Sequence, residues 1–390
     1  MHEFIPYGRQ NIDEEDIKAV IEVVRSDWIT QGPRVEEFET RVAEYCGAQY
    51  AVAFNSGTSA LHAAMYAAGI EAGDEVITTP LTFVATANAA LYAGARPVFT
   101  DIDENTYCID IEGIEETITP HTRAVVPVDY AGYPVEMKRI KEIADKYNLV
   151  VIEDAAHALG AEREGAKIGT QADMTMFSFH PVKHITTGEG GMIVCNSLDY
   201  YRRLKLFRNH GITKEAEYLE AHDGPWYYEM QELGYNFRIT DIQSALGISQ
   251  MNKLEKLLQK RRLLAGKYDQ AFNNVSWLQT PPTPPSGSRH AYHLYPLLLA
   301  AEVNRTEFFT YLRQHNIGVQ VHYIPVHLQP YYRRCFGFKP GDFPRTENFY
   351  AQEISLPLFP GLTQKQQEYV IKMVKISGEG RANVKGLAGE

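Results

Sequence analysis

The spacing of hydrophobic and polar positions changes along the chain, and it predicts the elements in order. Residues 11–28 (NIDEEDIKAVIEVVRSDW) carry Ile17, Val20, Ile21 and Val24 at helical spacing behind an acidic first turn. This predicts an amphipathic helix capped by Asp13. Gly32-Pro33 interrupts, and a second helix is expected over residues 34–46. Short apolar runs follow: YAVAF, EVITTP, RPVFTDID, RAVVPVDYAG and LVVIEDAA. Each has the length of a buried strand. Between them lie helical stretches: SALHAAMYAAG ending at Gly69, TFVATANAALYAG ending at Gly94, and the amphipathic VEMKRIKEIADKYN. Strands alternating with helices in this way predict an α/β fold with a mostly parallel sheet covered on both faces.

The pattern changes near residue 250. Residues 253–272 read as a long charged helix, and TPPTPPSGS (280–288) as a proline-rich loop. AYHLYPLLL then reads as a strand, RTEFFTYLRQHN as a helix and GVQVHYIP as another strand. The expectation is a large domain over residues 1–250 and a smaller C-terminal α+β domain over 251–376. The stretch SGEGRANVKGLAGE (377–390) is glycine-rich without periodicity, and is expected to be a flexible tail.

Charge and composition narrow the class. With 44% hydrophobic and 22% charged residues the chain has an ordinary globular balance. A net charge of −11 argues against nucleic acid or an anionic membrane as a general partner. The start, MHEFIPYGRQ, lacks the apolar core of a signal peptide, and no apolar run reaches membrane-spanning length. Cys46, Cys108, Cys195 and Cys335 form no CxxC pair and no metal-ligand spacing, so no metal is expected. A soluble cytoplasmic protein is the expectation.

Three stretches carry candidate chemistry. FNSGTSALH sets Ser56, Gly57, Thr58 and Ser59 between a strand and a helix. Helix-start amides there favour a phosphate, although serine and threonine also cap helices that bind nothing. The stretch matches neither GxxxxGK[ST] nor GxGxxG, which argues against a nucleotide triphosphatase or a dinucleotide enzyme. VVIEDAAHALG ends a buried strand on Glu153 and Asp154, with His157 three residues on. A strand-end carboxylate is placed to hold a protonated ring nitrogen, or merely to cap the next helix. FSFHPVKHITTGEGG contains Lys183, preceded by Ser178 on an apolar run and followed by glycines that leave room for a planar ligand. A desolvated lysine can form a Schiff base, whereas most lysines are simply solvated. Together with Phe83 in TFVATAN, the set offers partners for a phosphate, a flat ring, a pyridinium nitrogen and an aldehyde. Those are the parts of pyridoxal 5′-phosphate (PLP).

These motifs resemble those of the DegT/DnrJ/EryC1/StrS sugar aminotransferases. The matching stretches also include WITQGPRVEEFE, VDYAGYP, RNHG, GYNFRITDIQSALG and VQVHYIPVHLQPYY. The resemblance implies the PLP-dependent transferase fold type I, similar to aspartate aminotransferase. It implies Lys183 as the Schiff-base lysine and proton shuttle, Asp154 on the pyridinium nitrogen, Phe83 stacked on the ring and His157 near the ring hydroxyl. Gly57, Thr58 and Ser178 would hold the phosphate, and Asn236 would serve the cofactor of a partner subunit in a homodimer. Tyr7, the stretch Asp27, Trp28, Ile29 and Thr30, and the stretch His322, Tyr323, Ile324 and Pro325 would line a sugar-nucleotide pocket. A subgroup of the family replaces the lysine with histidine and becomes a dehydrase; this chain keeps Lys183. Within the family the motifs look most like the altrosamine-forming transaminases of pseudaminic acid synthesis. That implies a UDP-linked 4-keto-6-deoxy-N-acetylhexosamine as substrate and glutamate as amino donor. Relatives acting at C3 or C4 of other UDP- or dTDP-ketosugars share the same cofactor frame. A non-catalytic PLP-fold regulator would not need the lysine, aspartate and serine together. A nicotinamide-dependent sugar oxidoreductase would need the missing glycine-rich fingerprint.

Overall fold

The computed structural model describes residues 3–386. Seven strands form the main sheet: β1 (Tyr50–Phe54), β2 (Glu75–Thr78), β3 (Arg96–Phe99), β4 (Thr122–Val126), β5 (Val150–Asp154), β6 (Met174–Ser178) and β7 (Gly191–Cys195). Their order is β1-β7-β6-β5-β4-β2-β3. All pairings are parallel except those of β7, which runs antiparallel to both β1 and β6. The carboxyl ends of β1, β5 and β6 therefore share one edge of the sheet. Ligands gather at that edge in open α/β sheets.

Helices cover both faces. On one face α2 (Pro33–Cys46) contributes Phe38 and Val42 to a cluster with Phe177, Phe179 and Leu258. On the other, α3 (Gly57–Ala67) and α4 (Val84–Tyr92) bury alanine-rich faces against Val52, Val126 and Ile152. Alanine lets these helices lie close on the sheet. Strands buried on both faces explain the nearly continuous apolar runs of the sequence.

A second, three-stranded sheet is built from Leu278–Gln279, Pro296–Leu299 and Glu353–Ser355. Its core gathers Tyr268, Phe272, Leu297, Phe308, Leu312 and Ile354, and Ile5 from the start of the chain joins it. No helix among the described residues is long and apolar enough to cross a membrane.

Three expectations need correction. The first helix, α1, is shorter (Glu14–Val24), and its cap is as expected, with Asp13 and Asp16 forming a capping box. The apolar stripe does not face the core, however: Ile17, Ile21 and Val24 are 44%, 42% and 57% exposed. The inward face instead carries Val23 and a fully buried Asp16, held by Gln250 at 2.7 Å and Lys253 at 2.5 Å. GVQVHYIP is not a strand. Gln320 makes one isolated bridge to Ser355, and the His322 amide turns to the Glu353 carboxylate at 2.7 Å, so no ladder forms. In AYHLYPLLL only Pro296–Leu299 is strand, because the amides of Ala291 and His293 go to Gly132 and Ala131 on the other side of the fold. The expected tail is helical in backbone as far as Gly386, within the helix Gln364–Gly386, and residues 387–390 lie outside the described residues.

Candidate active site

Strand register assembles the site. Gly191, at the start of β7, pairs with Phe54 on one side and Ser178 on the other. This sets the start of α3 beside the end of β6. A Cβ on Gly191 would stand 2.4 Å from the Ser56 carbonyl oxygen, so glycine is required for backbone approach. That corrects the expectation that this glycine leaves room for a ligand. A Cβ on Gly57 would lie 3.3 Å from that of Ser178, so the two candidate phosphate groups are in contact across the strand ends. Ser56 caps α3 and bonds the Ser59 amide at 3.1 Å. The amides of Gly57 and Thr58, which open the helix, have no partners within it.

Asp154 ends β5 and is buried. Both carboxylate oxygens are engaged: the Thr86 hydroxyl donates at 2.7 Å and the Ala156 amide at 3.1 Å. Burial pushes its carboxyl above the usual range, while those two bonds and the Lys183 charge pull it back. Thr86 is itself bonded to Thr82 at 2.7 Å, one helical turn before it. The sequence offers only that i, i+4 threonine pair as a sign of this role. Lys183 lies within electrostatic reach of Asp154. Burial brings its amine down to about 8, with Asp154 raising it and Arg261 lowering it.

His157 is buried and held neutral, first by burial and then by the charge of Lys183. Its tautomer follows from its partners. The Ala131 amide donates to Nδ1 at 3.2 Å, so the proton sits on Nε2, which lies 3.0 Å from the Tyr323 hydroxyl. Accepting that proton leaves the Tyr323 O–H free to donate into the site. The Phe83 ring is 58% exposed at the cap position of α4, with its centroid 6.0 Å from that of Tyr323.

The irregular segment after residue 318 thus forms a wall of the same site. His322 is buried, its Nδ1 2.8 Å from the Ser355 hydroxyl and its ring 5.4 Å from that of Tyr7. Burial drives its imidazole down to about 3, so it is a neutral prop for Tyr7 and Tyr323. Ile324 is exposed, and Pro325 is buried where the chain returns to the Pro80 carbonyl. His293 went unnoticed in the sequence because its stretch reads as a strand. Its ring lies 4.3 Å from that of His157, centroid to centroid, tilted by 37°.

Two expected groups lie elsewhere within the single chain. Asp27, Trp28, Ile29 and Thr30 are exposed, and their contacts run to Thr240 and Asp241. Asn236 is exposed and bridges to Asn209; among the described residues no contact ties it to Lys183 or Asp154.

The fit to PLP can be judged from these observations. A lysine amine brought toward neutrality, a fixed buried carboxylate, an open aromatic face and a free helix start lie along one sheet edge. Each suits one part of a phosphorylated pyridine aldehyde.

Comparison with known proteins gives the same class. The sequence profile of the DegT/DnrJ/EryC1/StrS aminotransferase family matches residues 10–375. The chain is 43% identical to the spore coat polysaccharide biosynthesis protein SpsC of Bacillus subtilis, covering 95% of this chain and 96% of that one. It is 41% identical to the UDP-4-amino-4,6-dideoxy-N-acetyl-beta-L-altrosamine transaminase of Campylobacter jejuni, covering 94% and 95%. Among solved structures, Helicobacter pylori PseC, an aminotransferase involved in the biosynthesis of pseudoaminic acid, superposes with a TM-score of 0.91 at 36% identity, covering 97% of this chain and all of that one. The chain therefore belongs to the DegT/DnrJ/EryC1/StrS family and is a PLP-dependent sugar aminotransferase of fold type I.

Proposed function

We propose that the protein transfers an amino group from glutamate to C4 of a UDP-linked 4-keto-6-deoxy-N-acetylhexosamine, UDP-2-acetamido-2,6-dideoxy-β-L-arabino-hexos-4-ulose, in pseudaminic acid biosynthesis. Bound PLP supplies an aldehyde that condenses with amines and a ring that withdraws electrons from the adjoining carbon. The protein's own groups do the rest. Lys183 holds the cofactor covalently and, once released, moves the proton between substrate carbon and cofactor. Asp154 keeps a proton on the ring nitrogen, oriented by Thr86 and the Ala156 amide. Phe83 would cover one ring face, His157 would lie near the ring hydroxyl with its one proton engaged by Tyr323, and Gly57, Thr58 and Ser178 would bind the phosphate.

The choice of sugar rests on Tyr323. Its hydroxyl, 3.0 Å from His157 Nε2, brings the 319–332 segment onto the cofactor end of the site. That segment looks most like the altrosamine-forming enzymes, and Tyr7 lies behind it. A second reading, amination of another UDP- or dTDP-ketosugar, is favoured by the equally extensive likeness to the spore coat protein. The test is a panel of UDP- and dTDP-linked 3-keto and 4-keto sugars with PLP and glutamate. The expected product has nitrogen at C4 of the UDP-linked N-acetyl sugar, identified by mass and NMR. Equal turnover of a dTDP-3-keto sugar, or nitrogen at C3, would select the second reading. His322→Ala should raise KM roughly tenfold, the effect of losing a contact of about 1.4 kcal/mol. The cofactor absorbance should stay unchanged, because the hydrogen bonds of His322 run to Glu353, Ser355 and Tyr130 and not to Lys183, Asp154 or His157.

We also propose that the working unit is a homodimer. The α1 stripe is exposed together with Trp28 and Ile29, and an arm around the Ile212–Thr213 and Glu229–Met230 strands exposes Trp226, Met230 and Leu233 at 68%, 61% and 74%. Surfaces so apolar are usually covered by a partner. Asn236 follows that arm in the chain, and in this reading it would serve the second subunit's cofactor, while Asp27–Thr30 contact Thr240 and Asp241 a few residues further on. Mixing inactive Lys183→Ala with inactive Asn236→Ala should restore activity to roughly a quarter of the parent, because half of randomly paired dimers hold one intact site. A fully active monomer by light scattering would exclude the arrangement.

A further inference from the structure

Arg261 lies on the helix Leu254–Phe272 and is among the largest fully buried side chains of the protein. Its guanidinium meets only carbonyl oxygens. Nη1 donates to Leu358 at 3.0 Å and to Tyr292 and His293 at 3.2 Å, and Nη2 donates to Val182 at 3.3 Å. Nε has no partner, and among the described residues no carboxylate pairs with it. A buried cation without an anion is expensive, and a leucine or methionine would fill the space without that cost. Packing alone therefore does not account for an arginine at this position.

What it touches indicates the role. Val182 is the residue before Lys183, and Tyr292 and His293 belong to the segment whose His293 ring packs on His157. We propose that Arg261 is a positioning residue for Lys183: it ties the lysine's segment to the second core and sets an unpaired positive charge within reach of the amine.

The charged surroundings of the amine are few. Asp154 acts on it from β5 and favours the protonated form, and Arg261 opposes Asp154 from the helix. His157, His180 and His184, His293 and His322 approach from four segments, and burial lowers all five, so they add little charge. Arg261 is then the fixed cation that offsets Asp154 and leaves more of the amine as free base, the form that condenses with an aldehyde.

This inference rests on Lys183 being the reacting amine, which borohydride mapping tests separately. Its own test uses the full chain freed of cofactor by dialysis against hydroxylamine. Lys183 is labelled competitively with acetic anhydride across pH and read by peptide mass spectrometry, with exposed Lys18 as internal reference. In the parent, Lys183 should become reactive near pH 8. In Arg261→Gln, which keeps an amide donor but no charge, its profile should move up by about one unit, a tenfold loss of free base at neutral pH. Arg261→Lys should restore most of the shift. An unchanged Lys183 profile in folded Arg261→Gln overturns the electrostatic role. Should the glutamine variant fail to fold, Arg261→Lys still decides the tether by hydrogen exchange. A single ammonium cannot span Val182 and Leu358, so the Lys183 amide, which donates to the His180 carbonyl, should exchange several-fold faster. Unchanged exchange there overturns the positioning role.

Discussion

Lys183→Ala should fold, dimerise and lose both the yellow colour of the loaded protein and its turnover. Two functions leave with the amine: covalent attachment of the cofactor and movement of the substrate proton. The rate should fall roughly 10,000-fold, the upper end of what one positioned proton-transfer group contributes. Its neighbours cannot replace it. His180 and His184 flank the position, but burial holds both imidazoles below their usual range, and an imidazole ring lacks a primary amine. Stability should move the other way. The folded chain holds the amine at about 8, below its value in the unfolded chain, so burial of the charged form opposes folding at neutral pH. Between about pH 8 and the unfolded value the unfolded chain binds more protons, so this penalty fades as pH rises. Lys183→Ala should therefore melt at or above the parent temperature at pH 7, and the gap should close in alkali. Borohydride reduction of the loaded parent should leave the pyridoxyl group on the Lys183 peptide. Its appearance on another lysine would refute the assignment.

Much of the main sheet was legible because most of its strands are short apolar runs and two of the helices between them end at a glycine, whereas the antiparallel strand Gly191–Cys195 was not read. Gly69 and Gly94 take positive φ where those helices stop. The candidate cofactor residues were legible for a related reason. They sit at strand ends and helix starts, and those positions are local in sequence. What escaped was set by distant contacts. Nothing near GVQVHYIP announces that Glu353 will take the His322 amide, so a strand pattern was read where the chain bends into the site. Nothing near Arg261 marks it apart from the other cations of its helix. Thr86 is similar, since its acceptor is Asp154, 68 residues away. The α1 stripe shows the opposite failure. The pattern was right, but a helical period says only that a face is apolar, and this face turns away from the chain's own core.

Asp154→Asn should keep the fold and the cofactor but slow the proton-removal half of the reaction by roughly 10- to 1,000-fold, the one to three units by which a close carboxylate raises a cationic acid. Asparagine matches aspartate in shape, so its carbonyl oxygen can still accept the Thr86 hydroxyl at the 2.7 Å position. What changes is the charge and one bond, since the amide nitrogen cannot accept from the Ala156 amide. With the carboxylate, a proton on the ring nitrogen is held by an ion pair in a buried setting where water competes poorly. With the amide, the nitrogen loses that proton at neutral pH, and the ring withdraws electrons less strongly from the reacting carbon. Cofactor affinity should fall less than the rate, because the phosphate and Lys183 attachments remain. The measurement is a single-turnover absorbance trace with glutamate in the absence of ketosugar, which isolates the first half-reaction from sugar binding. Thr86→Val gives the graded control: the carboxylate stays but loses one donor, so its rate should lie between those of parent and Asp154→Asn. A first half-reaction at near-parental speed in Asp154→Asn would remove Asp154 from the chemistry and leave it the cap of the turn that follows β5.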